Sequence, residues 1–286
     1  MTPPRIAVVG HVEHVTLGRL EGALEPGGIL HLRDTRFIAG GGGGIAFAQL
    51  CRSDAEVHFF TAVGRDEAGR AVEARIRAHE RRGSRASQVH VHAVVRDEEH
   101  PRVVVVVDRE GRRTIVVLGE PLHPTASDPL PWSVFAQCDA VYFTGTDSET
   151  LRLSRACPHL VVTARRNEVL RAAQVPPDVV IGSVADPREN RELSAYDPAP
   201  AALVLTDGPR PVRIHRREGV THVAAPPAPD RVMGDYGAGD SFAAAMTYFL
   251  ARASSLENAC RSAGPYGASV LRGLDPLELQ SPLVAL

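Results

Sequence analysis

The sequence predicts an α/β protein with a mostly parallel central sheet, helices on both faces of that sheet, and a small second β-sheet. Short apolar runs rich in β-branched residues alternate with helical patterns along the chain, which is typical of parallel sheets buried on both faces. Two further segments carry strands with no helix between them. Because no internal repeat or low-complexity linker interrupts the pattern, we expect a single domain over residues 1–286.

Six apolar runs are predicted as strands of the central sheet, and most of them end at a glycine. An amphipathic pattern predicts a helix over residues 66–83, and an apolar helix is predicted after the glycine turn that begins at residue 237. The six runs are residues 5–10, 57–64, 139–145, 160–164, 178–182 and 202–208.

The two segments without a helix, about residues 12–40 and 89–118, are predicted as hairpins that pair with each other. Ligands of open α/β sheets bind at the carboxyl ends of the strands, so a small sheet there would form a lid that excludes water. Within the second hairpin, the runs at Val91–Val95 and Val103–Val107 are more apolar than a half-exposed sheet requires. We therefore expect the substrate to cover one face and a second subunit the other, giving a homodimer through the lid.

Charge and cysteine usage exclude several kinds of function. The 32 basic and 34 acidic residues nearly cancel and form no long basic run, so we expect no nucleic-acid partner. No apolar run approaches the ~20 residues of a membrane span, and residues 1–4 lead directly into a strand without a signal peptide. Cys51, Cys138, Cys157 and Cys260 lie far apart, which indicates free thiols and a cytoplasmic location.

The stretch GAGD, residues 237–240, places an acidic side chain at the start of an apolar helix. A helix start favours anions because its backbone N–H groups are unpaired. Asp240 therefore has two interpretations: it caps the helix, or it shares the site with a phosphate-bearing ligand and acts on it. The sequence contains no lysine, so a phosphate-binding loop of the G-x-x-x-x-G-K-[ST] type is excluded.

The order of the motifs resembles the ribokinase-like, or PfkB, carbohydrate kinase family over nearly the whole chain. TAVGRDEAGR, residues 61–70, is similar to the family's first signature, and GAGDSFAAAM, residues 237–246, to its second. AVVG, AGGGGGIAFAQL, DAVYFTG and VLTDG also stand in the family's order. The resemblance implies a ribokinase-like three-layer α/β/α fold with a small β-sheet lid, a small-molecule substrate, ATP as phosphate donor, and Mg²⁺.

The resemblance also implies roles for the GAGD residues. Asp240 matches the family's base, which receives the proton of the acceptor hydroxyl. Gly237, Ala238 and Gly239 match the turn whose backbone N–H groups form an anion hole for the transferred phosphoryl group. Both roles agree with the physical interpretation, because phosphoryl transfer needs positioning and charge stabilisation and a nearby carboxylate accepts the proton.

Five further positions are assigned to the nucleotide and its metal by resemblance. Thr206 and Gly208 match a T-x-G loop beside the nucleotide, although any strand that ends in a glycine turn has this pattern. Gly264 matches a helix that packs beside the adenine. Ser183 and Asp186 stand where the family has Asn-x-x-Glu, with Ser183 at the nucleotide and Asp186 orienting water around Mg²⁺.

The substrate side departs from the family pattern. Gly41 and Gly42 match a hinge between lid and main sheet, or a flexible turn before a helix. The two positions that grip a sugar diol in the family are Val15 and Ala46 in this chain, and neither offers a polar side chain. An apolar part of the substrate is expected against Val15.

Polar substrate contacts are instead expected from His11 and Glu13, which share a face near the end of the first strand, whereas His14 lies on the other face. Two ligands on one face do not make a zinc site. His90 and His92 also share a face, and we interpret them as cross-strand packing rather than as metal ligands.

The sequence therefore predicts an ATP- and Mg²⁺-dependent kinase that phosphorylates a hydroxyl of a sugar, nucleoside or related polyol. Its alternative is a non-catalytic relative that binds a nucleotide or metabolite, which the altered diol and Asn-x-x-Glu positions would favour. An NAD-binding oxidoreductase is disfavoured because no G-x-G-x-x-G follows the first strand.

Overall fold

The computed structural model describes residues 2–22, 27–82 and 88–284, and their central layer is a nine-stranded sheet. Parallel pairing joins seven neighbouring strands, and an antiparallel pair forms one edge. From the antiparallel edge onward the strands are β13 (Gly219–Val223), β12 (Arg210–Arg216), β11 (Ala202–Asp207), β10 (Val179–Ser183), β9 (His159–Thr163), β8 (Ala140–Phe143), β1 (Arg5–Val9), β4 (Glu56–Gly64) and β5 (Val89–Arg96).

Helices cover both faces of this sheet because its strands are apolar on both sides. Along β1, Ile6 and Val8 belong to one buried cluster, whereas Ala7 and Val9 belong to another on the opposite face. The helices are α1 (Gly41–Leu50), α2 (Glu67–Arg82), α3 (Ser148–Ser154), α4 (Asn167–Ala173), α5 (Ala238–Ala251), α6 (Leu256–Ser269) and α7 (Pro276–Leu279). The first cluster includes residues of α1, α2, α5 and α6, and the second includes residues of α3 and α4.

The predicted three-layer fold is confirmed, and each of the six predicted strands forms part of the sheet. The helix predicted over residues 66–83 is α2, although its predicted end at Gly83 lies outside the described residues. All four cysteines are free thiols, as expected. In the described part of the chain no helix is both long and apolar enough to span a bilayer.

A second, four-stranded sheet packs beside the first. Two antiparallel hairpins form it, and parallel pairing between β2 (Glu13–Leu20) and β6 (Arg102–Val107) joins them. Val15, Leu17, Val103 and Val105 point into a small core that also contains Ile45 of α1. In order, the strands are β3 (Leu32–Gly40), β2 (Glu13–Leu20), β6 (Arg102–Val107) and β7 (Arg113–Leu118).

The lid boundary predicted at about residue 89 is wrong. β5 lies at the edge of the large sheet, where it runs parallel to β4. The physical reason is that α2 provides the crossover that a parallel neighbour requires, and Val89 and Val91 pack in the core beneath it. Val91–Val95 is therefore not a lid strand, and the second lid hairpin consists of β6 and β7.

The start of α2 is fixed by a close contact between two glycines of the first signature. A Cβ atom on Gly69 would lie 1.9 Å from the carbonyl oxygen of Gly64. The N–H of Gly69 donates to Asp66 Oδ1 at 2.9 Å, so the turn between β4 and α2 is tight as well as crowded. The signature thus has a structural reason in this chain: it lets the helix begin directly against the end of β4.

We predict that Gly69→Ala lowers the free energy of unfolding by about 1–3 kcal/mol. Alanine is favoured over glycine inside a helix by only ~1 kcal/mol, and the clash is with a backbone oxygen that no side-chain rotation can move away. Gly22→Ala is the control, since nothing lies within 4 Å of its added Cβ. Urea denaturation that finds the Gly69 variant as stable as the Gly22 variant would contradict the prediction.

Candidate active site

The candidate site lies at the carboxyl ends of the parallel strands, where β1, β8 and β9 meet the first turns of α1 and α5. Gly10 follows β1 and permits a close approach, because its Cβ would lie 2.3 Å from Thr144 Cγ2 and 3.2 Å from the Cα of Gly43. Any larger residue would push the end of β1 away from β8 and α1. This approach brings the side chains that follow β1 to the start of α1.

The glycines at the start of α1 leave room for three polar side chains. Gly41 has φ +78°, and its Cβ would lie 2.9 Å from His11 Cδ2 and 3.2 Å from Glu13 Cγ. A Cβ on Gly42 would lie 3.2 Å from Asp240 Oδ1. The structure thus brings together the predicted substrate residues His11, Glu13, Gly41 and Gly42 with the predicted base Asp240.

His11 is held as a neutral imidazole. Its Nε2 accepts a hydrogen bond from the Gly42 N–H at 3.4 Å and lies 3.6 Å from Glu13 Oε1. Burial lowers the pKa of His11 well below its usual value, and the positive charge of Arg166 adds to this effect. The ring proton therefore lies on Nδ1, which is buried without a hydrogen-bond partner among the described residues and could donate to a ligand.

Asp240 is the third residue of α5 and not its cap. The N-cap residue is Gly237, with φ +81° and ψ 0° and no side-chain capping bond, so the capping interpretation of Asp240 does not hold for this position. Burial raises the pKa of Asp240 to about 6; the charge of Glu189 adds to the rise, and Arg165 and Arg113 oppose it.

Glu13 titrates together with Asp240. Burial raises the pKa of Glu13 to about 7, and the negative charge of Asp240 adds to the rise. Two carboxylates in one partly desolvated site cannot ionise independently. The two protons are therefore taken up by the pair of carboxylates as the pH falls through the range of about 7 to about 6.

The glycine turn before α5 combines a strained backbone with open space. Gly237 needs its positive φ, and its Cβ would lie 3.0 Å from Pro276 Cβ. Gly239 is exposed, and nothing lies within 4 Å of the position of its Cβ. Ala238 is half-buried between them. The N–H of Ala238 donates to the Asp235 carbonyl oxygen at 3.4 Å, and the start of α5 is open to an anion on the side of Gly239.

Both acidic groups near Ser183 are already engaged by arginines. Asp186 Oδ1 accepts from Arg188 at 2.9 and 3.1 Å, and Oδ2 lies 2.8 Å from Arg165 and 3.0 Å from Arg188. The hydrogen bonds from Arg188, with the charge of Arg165, lower the pKa of Asp186 to about 2. Buried Glu189 accepts from the Ser183 N–H at 2.9 Å and from Arg165. Asp186 therefore has no free oxygen for a direct Mg²⁺ bond, and its side chain does not fit the role of a metal ligand in this arrangement.

Four side chains at the site were not singled out by the sequence. Arg165 and Arg166 follow β9, and the Arg166 Nε donates to the carbonyl oxygen of Thr144 at 3.0 Å. No carboxylate of the described residues lies within 4 Å of Arg166. Burial and the charge of Arg166 lower the pKa of His123 to about 3, and Glu189 completes the group. Arg165 and Arg166 directly follow a predicted strand, whereas His123 and Glu189 carry no such signal in the sequence.

The predicted nucleotide residues lie farther along the same edge of the sheet. Thr206 is the penultimate residue of β11 and donates from Oγ1 to the carbonyl oxygen of Gly182 at 3.2 Å. Gly208 has φ +58° with open space around it. Gly264 lies inside α6, next to Pro265, and its Cβ would lie 2.9 Å from Pro226 Cδ. The helix therefore runs through Gly264 and does not begin there.

Two substrate-side positions are covered by the chain itself. Val15 is fully buried and its Cγ2 would lie 2.6 Å from a Cβ on Gly40. Ala46 is fully buried in the core one turn beyond Gly42. Neither side chain has surface to offer a ligand, so the expected contact of the substrate with Val15 is wrong for this arrangement.

Known proteins share this fold over its whole length. The ribokinase of Thermotoga maritima superposes with a TM-score of 0.75 at 14% identity, covering 98% of this chain and 96% of that chain. Adenosine kinase from Sinorhizobium meliloti gives a TM-score of 0.76 at 17% identity over 99% and 97% of the two chains. Arabidopsis thaliana ribokinase, solved with ribose and ATP, gives 0.73 at 16% identity over 98% and 96%. No curated protein sequence matches significantly.

The model of the pfkB family carbohydrate kinases matches residues 3–175 and 183–274, which is most of the chain. The match includes the end of β1, the glycine run of α1, and the GAGD turn. The chain therefore belongs to the pfkB family of carbohydrate kinases and is a phosphotransferase of that family.

Proposed function

We propose that this protein transfers the terminal phosphoryl group of ATP to a hydroxyl of a small sugar, nucleoside or related polyol, with Asp240 as the base. The observation that carries the proposal is the position of Asp240: its carboxylate lies within the first turn of α5, beside open space and close to His11 and Glu13. A hydroxyl bound there would face a proton acceptor and a helix N-terminus at once.

Asp240 has the protonation behaviour that a base needs. With a pKa of about 6, the carboxylate predominates at neutral pH yet accepts a proton more readily than an ordinary aspartate. Burial and the negative charge of Glu189 keep that pKa raised, while Arg165 and Arg113 prevent it from rising further. The proton of the acceptor hydroxyl passes to a carboxylate oxygen of Asp240 as the oxygen attacks.

The first turn of α5 supplies the charge stabilisation. The anion hole is assigned to the turn of Gly237, Ala238 and Gly239, where the space around Gly239 is open and the helix dipole favours an anion. Because Gly239 has no side chain, phosphate oxygens can lie against the backbone itself. We assign the nucleotide to the edge that continues past Ser183 toward Thr206, Gly208 and Gly264. ATP supplies the phosphoryl group when it is bound there.

Mg²⁺ is proposed only as a companion of the ATP phosphates. It retains several waters when bound, and Asp186 presents its oxygens to Arg165 and Arg188. We therefore propose that Asp186 acts on the metal only through water and that Arg165 offsets phosphate charge nearby.

The acceptor is assigned to the side formed by His11, Glu13 and Arg166. Glu13 is buried and holds one carboxyl oxygen 3.6 Å from His11 Nε2, so a donor group of the acceptor would satisfy it. The Nδ1–H of His11 offers a donor in return, and Arg166 offers a cation without a carboxylate partner among the described residues. Val15 and Ala46 are covered by the chain itself and contribute only to the shape of the acceptor site.

A non-catalytic relative that binds a nucleotide or metabolite is the second candidate. The engagement of Asp186 and Glu189 by Arg165 favours it, because those carboxylates are not free for a metal. The retained Asp240 and its raised pKa favour the enzyme.

Asp240→Asn is predicted to lower kcat by roughly 10²-fold or more, because asparagine keeps the shape but cannot accept the proton. For the wild type, kcat/KM should fall below about pH 6: the raised pKa means that the carboxylate is present above that pH and protonated below it. Initial rates between pH 5 and 8 measure both effects.

The control is Glu257→Gln, which removes an acid from the first turn of α6. That turn lies near the opposite end of α5, which is about 16 Å from Asp240 at 1.5 Å per helical residue. Unchanged turnover in the Asp240 variant would show that Asp240 is not the base. Loss of turnover in both variants would indicate a general effect of helix charge.

Glu13→Gln is predicted to weaken acceptor binding at least several-fold while leaving ATP affinity nearly unchanged, because a buried polar group loses its charge-assisted bond. The decrease of kcat/KM below about pH 6 should persist, because Asp240 is retained in this variant and Glu13 is not a cause of its raised pKa. Calorimetric titration with ATP, and with the best acceptor from a panel of sugars and nucleosides, measures the two affinities separately. Equal acceptor affinity in variant and wild type, or tight binding of simple ribose by the wild type, would place the acceptor elsewhere.

The lid edge supports a homodimer as part of the proposal. Every residue of β7 is exposed, and its last four, Ile115–Leu118, are between 43% and 53% exposed although all are apolar. A long apolar edge strand with free backbone groups is suited to pair with a second strand. In a homodimer, β7 of a second copy would pair with the free backbone groups of this strand and cover its apolar side chains. This interface replaces the predicted contact through Val91–Val95.

Light scattering is predicted to give twice the chain mass, and Val116→Glu should give a monomer because it places a charge in the apolar contact. Val220→Glu is a matched control, since Val220 is also 49% exposed but lies on β13, the antiparallel edge strand of the large sheet. A monomeric wild type, or a dimer that survives Val116→Glu, would refute the lid interface.

A further inference from the structure

Three histidines and a glutamate lie together at the end of the large sheet opposite the active site. Glu56 and His58 share one face of β4, and His90 and His92 lie on the same face of β5. The register pairs His58 with His90 and Phe60 with His92. Because β4 begins at Glu56, this cluster lies at the amino ends of the strands, whereas the active site lies at their carboxyl ends.

Three of these side chains have the spacing of metal ligands. Glu56 Oε1 lies 3.0 Å from His58 Nε2 and 3.7 Å from His90 Nε2, and the three atoms all lie within 4.8 Å of one another. Ligand atoms about 2.0–2.1 Å from a tetrahedral zinc are about 3.3 Å apart. The rings of His58 and His90 are stacked at 4.5 Å, and the 41% exposed side chain of His90 has room to turn its lone pair toward an ion.

The atoms around these ligands complete a second shell. Glu56 Oε2 accepts from Arg5 at 2.8 Å, which leaves Oε1 for a metal. His58 Nδ1 lies 3.0 Å from His92 Nε2, so a metal on His58 Nε2 would leave the proton on Nδ1, donated to His92. Metal-bound histidines commonly have such a partner, which fixes the tautomer and orients the ring.

The donor types suit a metal site. Glu56 supplies a carboxylate oxygen, and His58 and His90 each supply an imidazole nitrogen. A carboxylate with two neutral imidazoles binds zinc in preference to magnesium, because magnesium favours oxygen ligands.

We propose that Glu56, His58 and His90 bind a Zn²⁺ ion, with His92 as the partner that orients His58 and with water in the fourth position on the exposed side of His90. The ion ties the edge strand β5 to β4. This site is independent of the proposed kinase chemistry, because no residue of the active site takes part in it.

The test is calorimetric titration of the chelator-treated full-length protein with ZnCl₂, without ATP or acceptor. We expect one strong site per chain, and His90→Gln should weaken it on the order of tenfold or more. His222→Gln is the matched control, because His222 is an exposed strand histidine on β13 at the other edge of the sheet. Millimolar MgCl₂ should not displace the zinc, and saturating zinc should raise the melting temperature of the wild type more than that of His90→Gln.

Titration with CoCl₂ gives an independent spectroscopic readout, since four-coordinate Co²⁺ absorbs visible light more strongly than the hydrated ion. The proposal fails if the wild type lacks a stoichiometric site, if His90→Gln binds zinc as tightly as the wild type, or if His222→Gln loses affinity equally. None of these outcomes depends on whether the protein phosphorylates anything.

Discussion

The close approach of the first turn of α1 to the end of β1 is the contact on which the candidate active site depends. A Cβ on Gly43 would lie 2.6 Å from the carbonyl oxygen of His11, and that oxygen accepts from the Gly44 N–H at 3.2 Å. Backbone therefore touches backbone where side chains would normally keep elements apart. The space saved is what admits the side chains of His11, Glu13 and Asp240 between a strand end and two helix starts.

Charge at this site is distributed between the main sheet and the lid. Arg113 of β7 pairs with Asp235 at 2.5 Å, just before the GAGD turn, and its charge opposes the raised pKa of Asp240. Gly111, in the turn between β6 and β7, has φ +78° and lies so close to Val232 that a Cβ would be 2.5 Å from its carbonyl oxygen. The lid is thus held against the segment before α5 by packing and by an ion pair, and its position helps to set the proton affinity of the proposed base.

The sequence predicted well those features that depend on local pattern. Continuous apolar runs such as β1, interleaved with helical patterns, were sufficient to predict a sheet covered on both faces, and the GAGD turn before an apolar helix was sufficient to locate Asp240. Strand pairing was harder: β5 is rich in valine like β6, and only the helix before it determines which sheet it joins. No pattern along the chain shows that His58 faces His90, because that contact exists only through the register of β4 and β5.

The acidic residues near Ser183 show the same limit at shorter range. Spacing by resemblance selected Asp186, yet the more deeply buried acid is Glu189, three residues later. The turn that separates them is closed by hydrogen bonds from the N–H groups of Glu189 and Asn190 to the Asp186 carbonyl oxygen, both at 2.9 Å. This turn directs Glu189 back toward Ser183 and Arg165, while Asp186 faces Arg188 as well. Counting residues cannot distinguish these two directions.

Burying Glu13 and Asp240 together has an energetic consequence that points to ligand binding. Their pKa values in the folded protein, about 7 and about 6, lie above their ordinary values of 4.5 and 3.8. The folded state therefore binds more protons than the unfolded state, and these two groups oppose folding increasingly as the pH rises from about 4 to about 7. A ligand that donates hydrogen bonds to both carboxylates offsets that cost. The arrangement is unfavourable for the empty protein at neutral pH and favourable for one that holds a hydroxyl-bearing acceptor, which is the condition under which a raised pKa is useful to a base.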